Sequence, residues 1–298
     1  MDASLIGLSL YLLISLVLFE LTFNRNISKK FLRKSDDLER ADWSFFKADQ
    51  AWMLNQNPEI LEIKVKNQKR SAYFLKPYGK EAETVIIIHG YTSSAINMSL
   101  FARLYSENFK MNALLIDLSA HGLSEGSIIQ FGLGDYKDIN LWINKLNEMG
   151  YTQNKVIHGI SMGGSTAYFA LAHDLNKDVK AIITDSAYTN LDPILKKQAL
   201  KIYKSPVLLF MLGLSFWMKI FLGFSIQQIN VYSYLKKIEL PLLIIHGTND
   251  HFVPFRQSEH LNEKFPQTQL KLFKNSEHAC SVGDYREEYI QTVKDFLA

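Results

Sequence analysis

From residue 84 onwards, short apolar runs alternate with stretches in which apolar residues recur at helical spacing. The runs are rich in branched aliphatic side chains and lie at Val85–Ile88, Ala113–Asp117, Lys155–Ile160, Val179–Thr184 and Leu240–Ile245. Uninterrupted apolar strands of this kind are typical of a parallel sheet that is covered on both faces. Between the runs, apolar residues recur at i, i+3, i+4 and i+7, as at Ile139, Trp142, Ile143 and Leu146. Alternating strands and helices predict an α/β fold with a mostly parallel, doubly wound sheet.

One interval between two predicted strands, Tyr188 to Lys237, is far longer than the usual connection of a few residues. It contains the apolar run 206–224, which is interrupted by Lys219. A membrane span at this place would put the bilayer between two strands of one sheet. We therefore predict a helical lid, inserted into the sheet topology at about 188–237.

The N-terminal segment Leu5–Phe23 is apolar apart from hydroxyl groups and Glu20. At about 1.5 Å per residue, a helix of this length reaches roughly 28 Å, close to the thickness of a bilayer core. Basic residues follow the segment and do not precede it, which places the downstream domain in the cytoplasm by the positive-inside rule. The segment also lacks the small-residue cleavage site of a signal peptide. We predict a single-pass membrane anchor over residues 1–24, with a helix that packs on the domain as the alternative.

The remainder of the chain divides into a connecting segment and a core domain. Residues 25–58 are charged with interspersed aromatic residues, which predicts a linking helix. Glu59–Val65 and Ser71–Leu75 alternate between apolar and polar residues around the polar segment Lys66–Arg70, a pattern that predicts a β-hairpin. The core domain, with its inserted lid, is predicted over residues 59–298.

Composition and charge narrow the classes of function. The 298 residues suffice for one domain with an insertion, and a net charge of +3 gives no argument for a nucleic-acid partner. The single cysteine, Cys280, excludes a disulfide within the chain. No cluster of residues has the spacing of metal ligands, and no glycine-rich phosphate loop is present, so neither a metal nor a cofactor is predicted.

The strongest chemical signal is Gly159–Gly163 (GISMG), which follows a predicted strand and precedes a helical pattern. A strand–turn–helix with the pattern Gly-x-Ser-x-Gly is the arrangement of a nucleophile elbow. The sharp turn raises the serine hydroxyl above the sheet, and glycines avoid Cβ clashes beside it. Ser161 is therefore the candidate nucleophile, with the backbone amide of Met162 at the start of the helix.

These motifs resemble the α/β-hydrolase superfamily, especially its small lidded esterases, monoacylglycerol-lipase-like enzymes and acyl-peptidase relatives. Val85–Tyr91 (VIIIHGY) resembles the family's strand and oxyanion loop. Asp117–Gly126 (DLSAHGLSEG) resembles the family's turn Asp-x-Arg-Gly-His-Gly-x-Ser, with Ser119 and Ala120 in place of the usual arginine and glycine. The resemblance implies an oxyanion hole formed by the backbone amides of Tyr91 and Met162.

The catalytic acid and base follow the nucleophile in that family, in the order Ser, Asp or Glu, His. Asp250 comes directly after a predicted strand, and His278 comes after Gln269–Phe273 and before the last helix. Both positions are at the carboxyl ends of strands, where sites form in open parallel sheets. The predicted triad is Ser161, Asp250 and His278, with Asp185 as the alternative acid.

The triad implies hydrolysis through an acyl-enzyme, without a cofactor. The apolar residues of the predicted lid suit a hydrophobic, lipid-like ester, and they equally suit packing of the lid on its own domain. An amidase or acyl-peptidase and an acyltransferase use the same triad and remain alternatives, as does a non-catalytic binding protein.

Overall fold

The structure of the chain, a computed structural model, describes residues 3–27, 44–201 and 206–298. The strands are β1 (Glu59–Val65), β2 (Gln68–Leu75), β3 (Thr84–Ile88), β4 (Asn112–Ile116), β5 (Lys155–Ile160), β6 (Val179–Asp185), β7 (Leu242–Gly247) and β8 (Gln269–Phe273). They form one eight-stranded sheet in the order β1-β2-β4-β3-β5-β6-β7-β8. The pairs β1–β2 and β2–β4 are antiparallel and the other five are parallel. The predicted fold class, with a mostly parallel sheet, is confirmed.

Helices cover both faces of this sheet. They are α1 (Ala3–Phe23), α2 (Ser44–Asn55), α3 (Ser99–Phe109), α4 (Tyr136–Glu148), α5 (Met162–Ala172), α6 (Asp192–Lys201), α7 (Val207–Leu222), α8 (Arg256–Lys264), α9 (Ser281–Asp284) and α10 (Arg286–Leu297). The predicted linking helix over 25–58 falls partly on residues 28–43, which lie outside the described residues, while α2 occupies its second half.

The core lies in two layers, one on each side of the sheet. Along β3, Val85 and Ile87 face the layer that contains α3 and α10, whereas Ile86 and Ile88 face the layer that contains α4, α5 and α8. All residues of β3 are buried, which explains why the strand is apolar throughout instead of alternating. The apolar face predicted for α4 is also buried, and Trp142 at its centre is fully inaccessible.

The predicted hairpin is present, but its turn is shorter than the sequence suggested. β2 begins at Gln68, and Val65 pairs with Gln68 across a two-residue turn. Lys66 in this turn has a φ of 55°, a left-handed conformation that the polar segment adopts without a glycine. The polar residues Gln68 to Arg70 therefore belong to the strand: Gln68 is exposed, whereas Arg70 is buried and its guanidinium pairs with Asp138 at 3.0 Å.

The insertion between β6 and β7 contains α6, α7 and two short 3₁₀ helices at 226–228 and 231–233. Helix α7 packs along α1: the Tyr11 hydroxyl donates to the carbonyl of Leu209 at 3.0 Å, and the Trp217 indole donates to Ser15 Oγ at 2.9 Å. A Cβ atom on Gly213 would lie 2.4 Å from Ser15 Cβ, so glycine permits this close approach. Tyr11 of α1 contacts Leu209 of α7, and Ser15, one turn later, contacts Gly213, also one turn later. The two helices therefore run in the same direction.

Helix α1 is, among the described residues, the one helix long and apolar enough to cross a membrane. Its first two turns are exposed, and its last turn is buried, with Phe19 and Phe23 fully inaccessible. Length and composition alone do not distinguish an anchor from a signal sequence or a packed helix. The division into an anchor, a linking segment and a core domain therefore stays a prediction.

Candidate active site

Ser161 stands between β5 and α5 in a strained turn. Its φ of 53° and ψ of −115° are unusual for a residue with a side chain. A Cβ atom on Gly159 would lie 2.4 Å from the carbonyl oxygen of Gly163, and one on Gly163 would lie 2.1 Å from the carbonyl oxygen of Ile88. Backbone atoms occupy the space of both side chains, which is why the turn requires glycine on either side of the serine.

The structure brings the three residues of the predicted triad into direct contact. Ser161 Oγ lies 2.9 Å from His278 Nε2, and His278 Nδ1 lies 2.7 Å from Asp250 Oδ2. The three side chains come from the loops that follow β5, β8 and β7, at the carboxyl ends of strands in the parallel part of the sheet, where β6 lies between β5 and β7. All three are largely buried, and the His278 side chain is 10% exposed.

Asp250 is held by four hydrogen bonds. The backbone amides of Phe252 and Val253 donate to Oδ1 at 2.9 and 2.8 Å, and two histidines, His278 and His246, contact Oδ2. Burial acts to raise the pKa of Asp250, but the charge of His278 and the hydrogen bonds from both histidines lower it below its ordinary value. The carboxyl group is therefore ionised throughout the neutral range.

His246 is the participant that sequence reasoning missed, because its position at a strand end suggested only a structural role. It is fully buried, with Nε2 3.0 Å from both Asp250 Oδ2 and the carbonyl oxygen of Val253. Ser258 Oγ lies 2.7 Å from Nδ1. A histidine four residues before the acid, on the same strand end, was the available signal.

The pKa of His278 reflects its two acidic neighbours. Burial acts to lower it, but the charge and the hydrogen bond of Asp250, with a smaller contribution from Asp185, raise it above its ordinary value. With Nδ1 donating to Asp250, Nε2 is free to accept a proton from Ser161 Oγ. The geometry is that in which a serine can act as nucleophile, a histidine as base and a carboxylate as the group that orients the base.

Asp185, the alternative acid, makes different contacts. Its carboxyl oxygens accept from Ser186 Oγ at 2.9 Å and from the Tyr289 hydroxyl at 3.0 Å. Ser186 Oγ in turn accepts from the backbone amide of Ala279, next to the histidine. Burial raises the pKa of Asp185. Asp185 therefore supports the loop that carries His278, while Asp250 bonds the imidazole itself.

The two residues of the predicted oxyanion hole are both near Ser161, one next to it in the chain and one in the lining of the same cavity. Met162 is the first residue of α5, and Tyr91 follows Gly90, whose Cβ position would be 3.8 Å from Ser161 Oγ. The Tyr91 ring stacks on Phe131 with centroids 5.1 Å apart. A helix N-terminus and this loop therefore both adjoin Ser161.

A narrow cavity of about 40 Å³ adjoins Ser161. One side comes from loops at the sheet, with Tyr91, Phe131, Tyr188 and Phe252. The other side consists of Thr22 of α1, of Leu191 directly before α6, and of three residues of α6, namely Ile194, Leu195 and Gln198. Nearly all of these groups are apolar, so the cavity suits an uncharged hydrocarbon group.

Two other reactive side chains near these motifs, Asp117 and Cys280, have structural surroundings. Asp117 accepts from the backbone amides of Ala95 and Leu123, which shapes the turn after β4. Cys280 is half-buried, and burial with nearby carboxylates raises the pKa of its thiol to about 12, which keeps the thiol protonated at neutral pH. Among the described residues, no group of three or more histidine, cysteine or acidic side chains is arranged to bind a metal ion.

The chain is similar in sequence and in fold to several known proteins. Residues 128–298 match the model of the prolyl oligopeptidase family. The Bacillus subtilis protein YqkD is 30% identical over 220 residues, which cover 72% of this chain and 70% of that protein. The structure of the Pyrococcus furiosus esterase PF2001 is similar with a TM-score of 0.66, 24% identity, and coverage of 82% of this chain and 92% of the esterase.

A second solved structure extends over the N-terminal helix as well. A bacterial membrane phospholipase A is similar with a TM-score of 0.60 and 16% identity, and the likeness covers 100% of this chain and 98% of that protein. At these identities, both structural likenesses concern the fold.

Proposed function

Because the chain belongs to the prolyl oligopeptidase family, within the α/β-hydrolase superfamily, we propose that it is a serine hydrolase that cleaves carboxylic esters with an apolar acyl group. The observation that carries the proposal is the hydrogen-bonded series from Ser161 through His278 to Asp250, next to an apolar cavity. The names of two relatives in fold, an esterase and a phospholipase, support an ester substrate.

In the first step, Ser161 Oγ attacks the carbonyl carbon of the ester while its proton passes to His278 Nε2. Asp250 stabilises the imidazolium and holds the ring with Nε2 toward the serine. The negative charge that develops on the carbonyl oxygen is stabilised by the backbone amides of Tyr91 and Met162, and removal of one such donor typically costs about 3 kcal/mol. His278 then gives its proton to the leaving alcohol.

In the second step, a water molecule attacks the acyl group on Ser161, and His278 accepts a proton from that water. The C–O bond to the serine breaks, His278 returns the proton to Ser161 Oγ, and the carboxylic acid leaves. The step is the reverse of acylation with water in place of the alcohol, so the same base serves both. No cofactor takes part.

Labelling with a fluorophosphonate probe tests this proposal on the full chain in detergent. We expect the wild type to be labelled and to hydrolyse p-nitrophenyl esters, whereas Ser161→Ala and His278→Ala are neither labelled nor active. Ser233→Ala, which alters an exposed serine of the insertion, is the matched control and keeps both properties. A folded wild type that is not labelled refutes the serine mechanism.

Matched ester and amide substrates separate esterase from amidase or acyl-peptidase activity. We expect the ester to be hydrolysed at least tenfold faster, and a ratio near one favours the amidase. Added alcohols separate hydrolysis from acyl transfer: a product ester that replaces the free acid favours the acyltransferase.

We further propose that α1 attaches the protein to a membrane with the catalytic domain in the cytoplasm. The exposed leucines and phenylalanines of α7, including Leu208, Leu212 and Phe216, extend the apolar surface of α1. Cleavage of α1 as a signal sequence would remove Thr22 from the cavity wall, which favours retention of the helix. Recovery of the protein in the membrane fraction after a high-salt wash, with a C-terminal tag protected from external protease, is the expected result.

A further inference from the structure

The last turn of α1 reaches the cavity beside Ser161. Thr22, on this turn, lines the same cavity as the serine and is 5% exposed. Its carbonyl oxygen accepts a hydrogen bond from the Tyr91 hydroxyl at 2.5 Å. The N-terminal helix therefore contacts both the cavity and the loop proposed to bind the oxyanion.

An aromatic series continues this contact. The Phe23 ring packs edge-on against Phe131 at 5.0 Å, and Phe131 stacks on Tyr91 at 5.1 Å. Phe23 and Phe131 are both buried. Tyr91 is thus held at its hydroxyl by Thr22 and across its ring by Phe131, which itself rests on α1.

The chain that follows α1 is fixed to the domain by its backbone. The amide of Ile129 donates to the carbonyl of Phe23 at 2.9 Å, and the amide of Arg25 donates to the carbonyl of Ser127 at 2.8 Å. The Arg25 guanidinium also donates to the carbonyls of Gly122 and Ser124. These contacts set the position of the last turn relative to the sheet whether or not a membrane surrounds the rest of the helix.

Because the cavity is small, the position of the last turn of α1 affects which groups can enter it. About 40 Å³ is well below the roughly 150 Å³ that accommodates a benzene ring, so little more than the first carbons of an acyl group fit between the walls as they stand. The sheet-side wall is carried by strand ends and by the strained elbow. The helical wall, with Thr22 on α1 and Ile194 on α6, is therefore the wall whose side chains decide how much more can enter.

We infer that the last turn of α1 forms one wall of the acyl-binding subsite, and that Thr22 sets the length of the apolar acyl chain that is accepted. In this arrangement α1 has a second role besides membrane attachment: through Tyr91 it also holds the oxyanion loop. The inference rests on the proposed function, because it assigns the acyl group to the cavity beside Ser161.

Two substitutions of Thr22 that change the cavity in opposite directions test this subsite. Kinetics of the full chain in detergent are compared for p-nitrophenyl acetate and hexanoate. Thr22→Ala enlarges the cavity, and we expect the hexanoate-to-acetate ratio of kcat/KM to rise by about tenfold. Thr22→Phe fills the cavity, and we expect this ratio to fall by at least as much. The size of both effects follows because one methylene in an apolar pocket changes selectivity about 10- to 200-fold.

Val17→Phe is the matched control, because Val17 lies on the same helix with 51% of its surface exposed. It should leave the ratio unchanged. If Thr22→Phe does not fold, as judged by its unfolding midpoint, Thr22→Ala decides the question alone. A ratio that stays constant in folded Thr22 variants, or that changes equally in Val17→Phe, overturns the inference.

A binding measurement separates this inference from the proposed function. In a Ser161→Ala background, a fluorescent fatty acid is expected to bind, and Thr22→Phe should weaken its Kd at least tenfold. If this loss occurs while the wild type hydrolyses no ester, the proposed function fails and the subsite stands. If the wild type hydrolyses esters and Thr22→Phe changes neither binding nor the chain-length ratio, the subsite fails and the proposed function stands.

The hydrogen bond from Tyr91 has its own readout. Tyr91→Phe keeps the ring against Phe131 and removes only the hydroxyl that binds the Thr22 carbonyl. We expect kcat to fall several-fold for acetate and hexanoate alike with KM unchanged, because the loop amide is displaced from the oxyanion. An unchanged kcat contradicts the positioning role of α1.

Discussion

Replacement of Asp250 by asparagine is the sharpest test of the proposed site. The carboxyl group accepts two hydrogen bonds at each oxygen: the backbone amides of Phe252 and Val253 donate to Oδ1, and His278 and His246 contact Oδ2. An asparagine has one acceptor oxygen and one donor NH₂. No orientation of the amide can therefore satisfy all four donors.

Each orientation has a definite consequence. If the NH₂ group takes the place of Oδ2, His278 must turn its proton to Nε2 in order to accept at Nδ1, and Nε2 then cannot take the proton of Ser161. If the NH₂ group takes the place of Oδ1, it faces two backbone N–H groups that can only donate. The loss of two hydrogen bonds at a charged group corresponds to roughly 3 kcal/mol of unfolding free energy.

The kinetic effect should be larger than the effect on stability. A base held in the wrong tautomer lowers kcat by about 10⁴. At about 1.4 kcal/mol for each factor of ten, the activation barrier rises by about 5 kcal/mol. KM should change little, because Asp250 does not line the cavity.

Asp185→Asn is the matched control for the assay. The partners of Asp185 are the hydroxyls of Ser186 and Tyr289, and hydroxyls can accept from an NH₂ group as well as donate. We expect kcat of Asp185→Asn to remain within about tenfold of the wild type. Hydrolysis of p-nitrophenyl acetate and unfolding in urea are measured for both variants. The assignment of the acid is refuted if Asp250→Asn keeps a tenth or more of wild-type kcat, or if the kcat of Asp185→Asn falls more than about tenfold.

Three further predictions follow from the same geometry. The kcat/KM of the wild type should fall as pH is lowered through the raised pKa of His278, above the ordinary value of about 6.5, because the protonated ring cannot accept the serine proton; a pH–rate profile with its midpoint below that value contradicts this. His246→Leu removes one donor from Asp250 and should lower the free energy of unfolding by about 2 kcal/mol, measured in urea, with KM unchanged; unchanged stability argues against the contact. Gly163→Ala places a methyl group 2.1 Å from the Ile88 carbonyl and should lower the unfolding midpoint sharply, while Gly283→Ala, which meets nothing within 4 Å, should not.

The parts of the fold that sequence predicted are those in which local pattern and final environment agree. Val156, Ile157 and Ile160 are apolar because both faces of β5 are covered, and glycine is required on either side of Ser161 because backbone atoms occupy the space of a side chain there. Asp250 and His278 were predicted from the order of catalytic residues in the resembled superfamily and from their positions at strand ends. The distances between them, and which of Asp250 and Asp185 contacts the His278 ring, depend on the order of the strands in the sheet. No single segment of the sequence predicts that order.

The residues that sequence reasoning missed gain their roles from contacts that only the folded chain creates. His246 resembles any buried histidine until Asp250 and Ser258 are placed against its two ring nitrogens. Phe131 lies in a loop with no motif, and it enters the cavity wall because Tyr91 stacks on it. The role of Phe131 follows from no residue type, spacing or periodicity, and the one local signal for His246 is its position four residues before Asp250.

Helix α1 shows most clearly why composition was insufficient. Lipid and protein interior both favour apolar side chains, so a hydropathy pattern cannot distinguish the exposed first turns from the last turn, which enters the core. The residues that do distinguish them are the small and polar ones: Ser15 lies against Gly213 and receives the Trp217 indole, and Thr22 faces the cavity. Small residues allow two helices to approach closely whether in lipid or in protein. With the membrane attachment proposed above, α1 would join the attached part of the chain to one wall of the cavity beside Ser161.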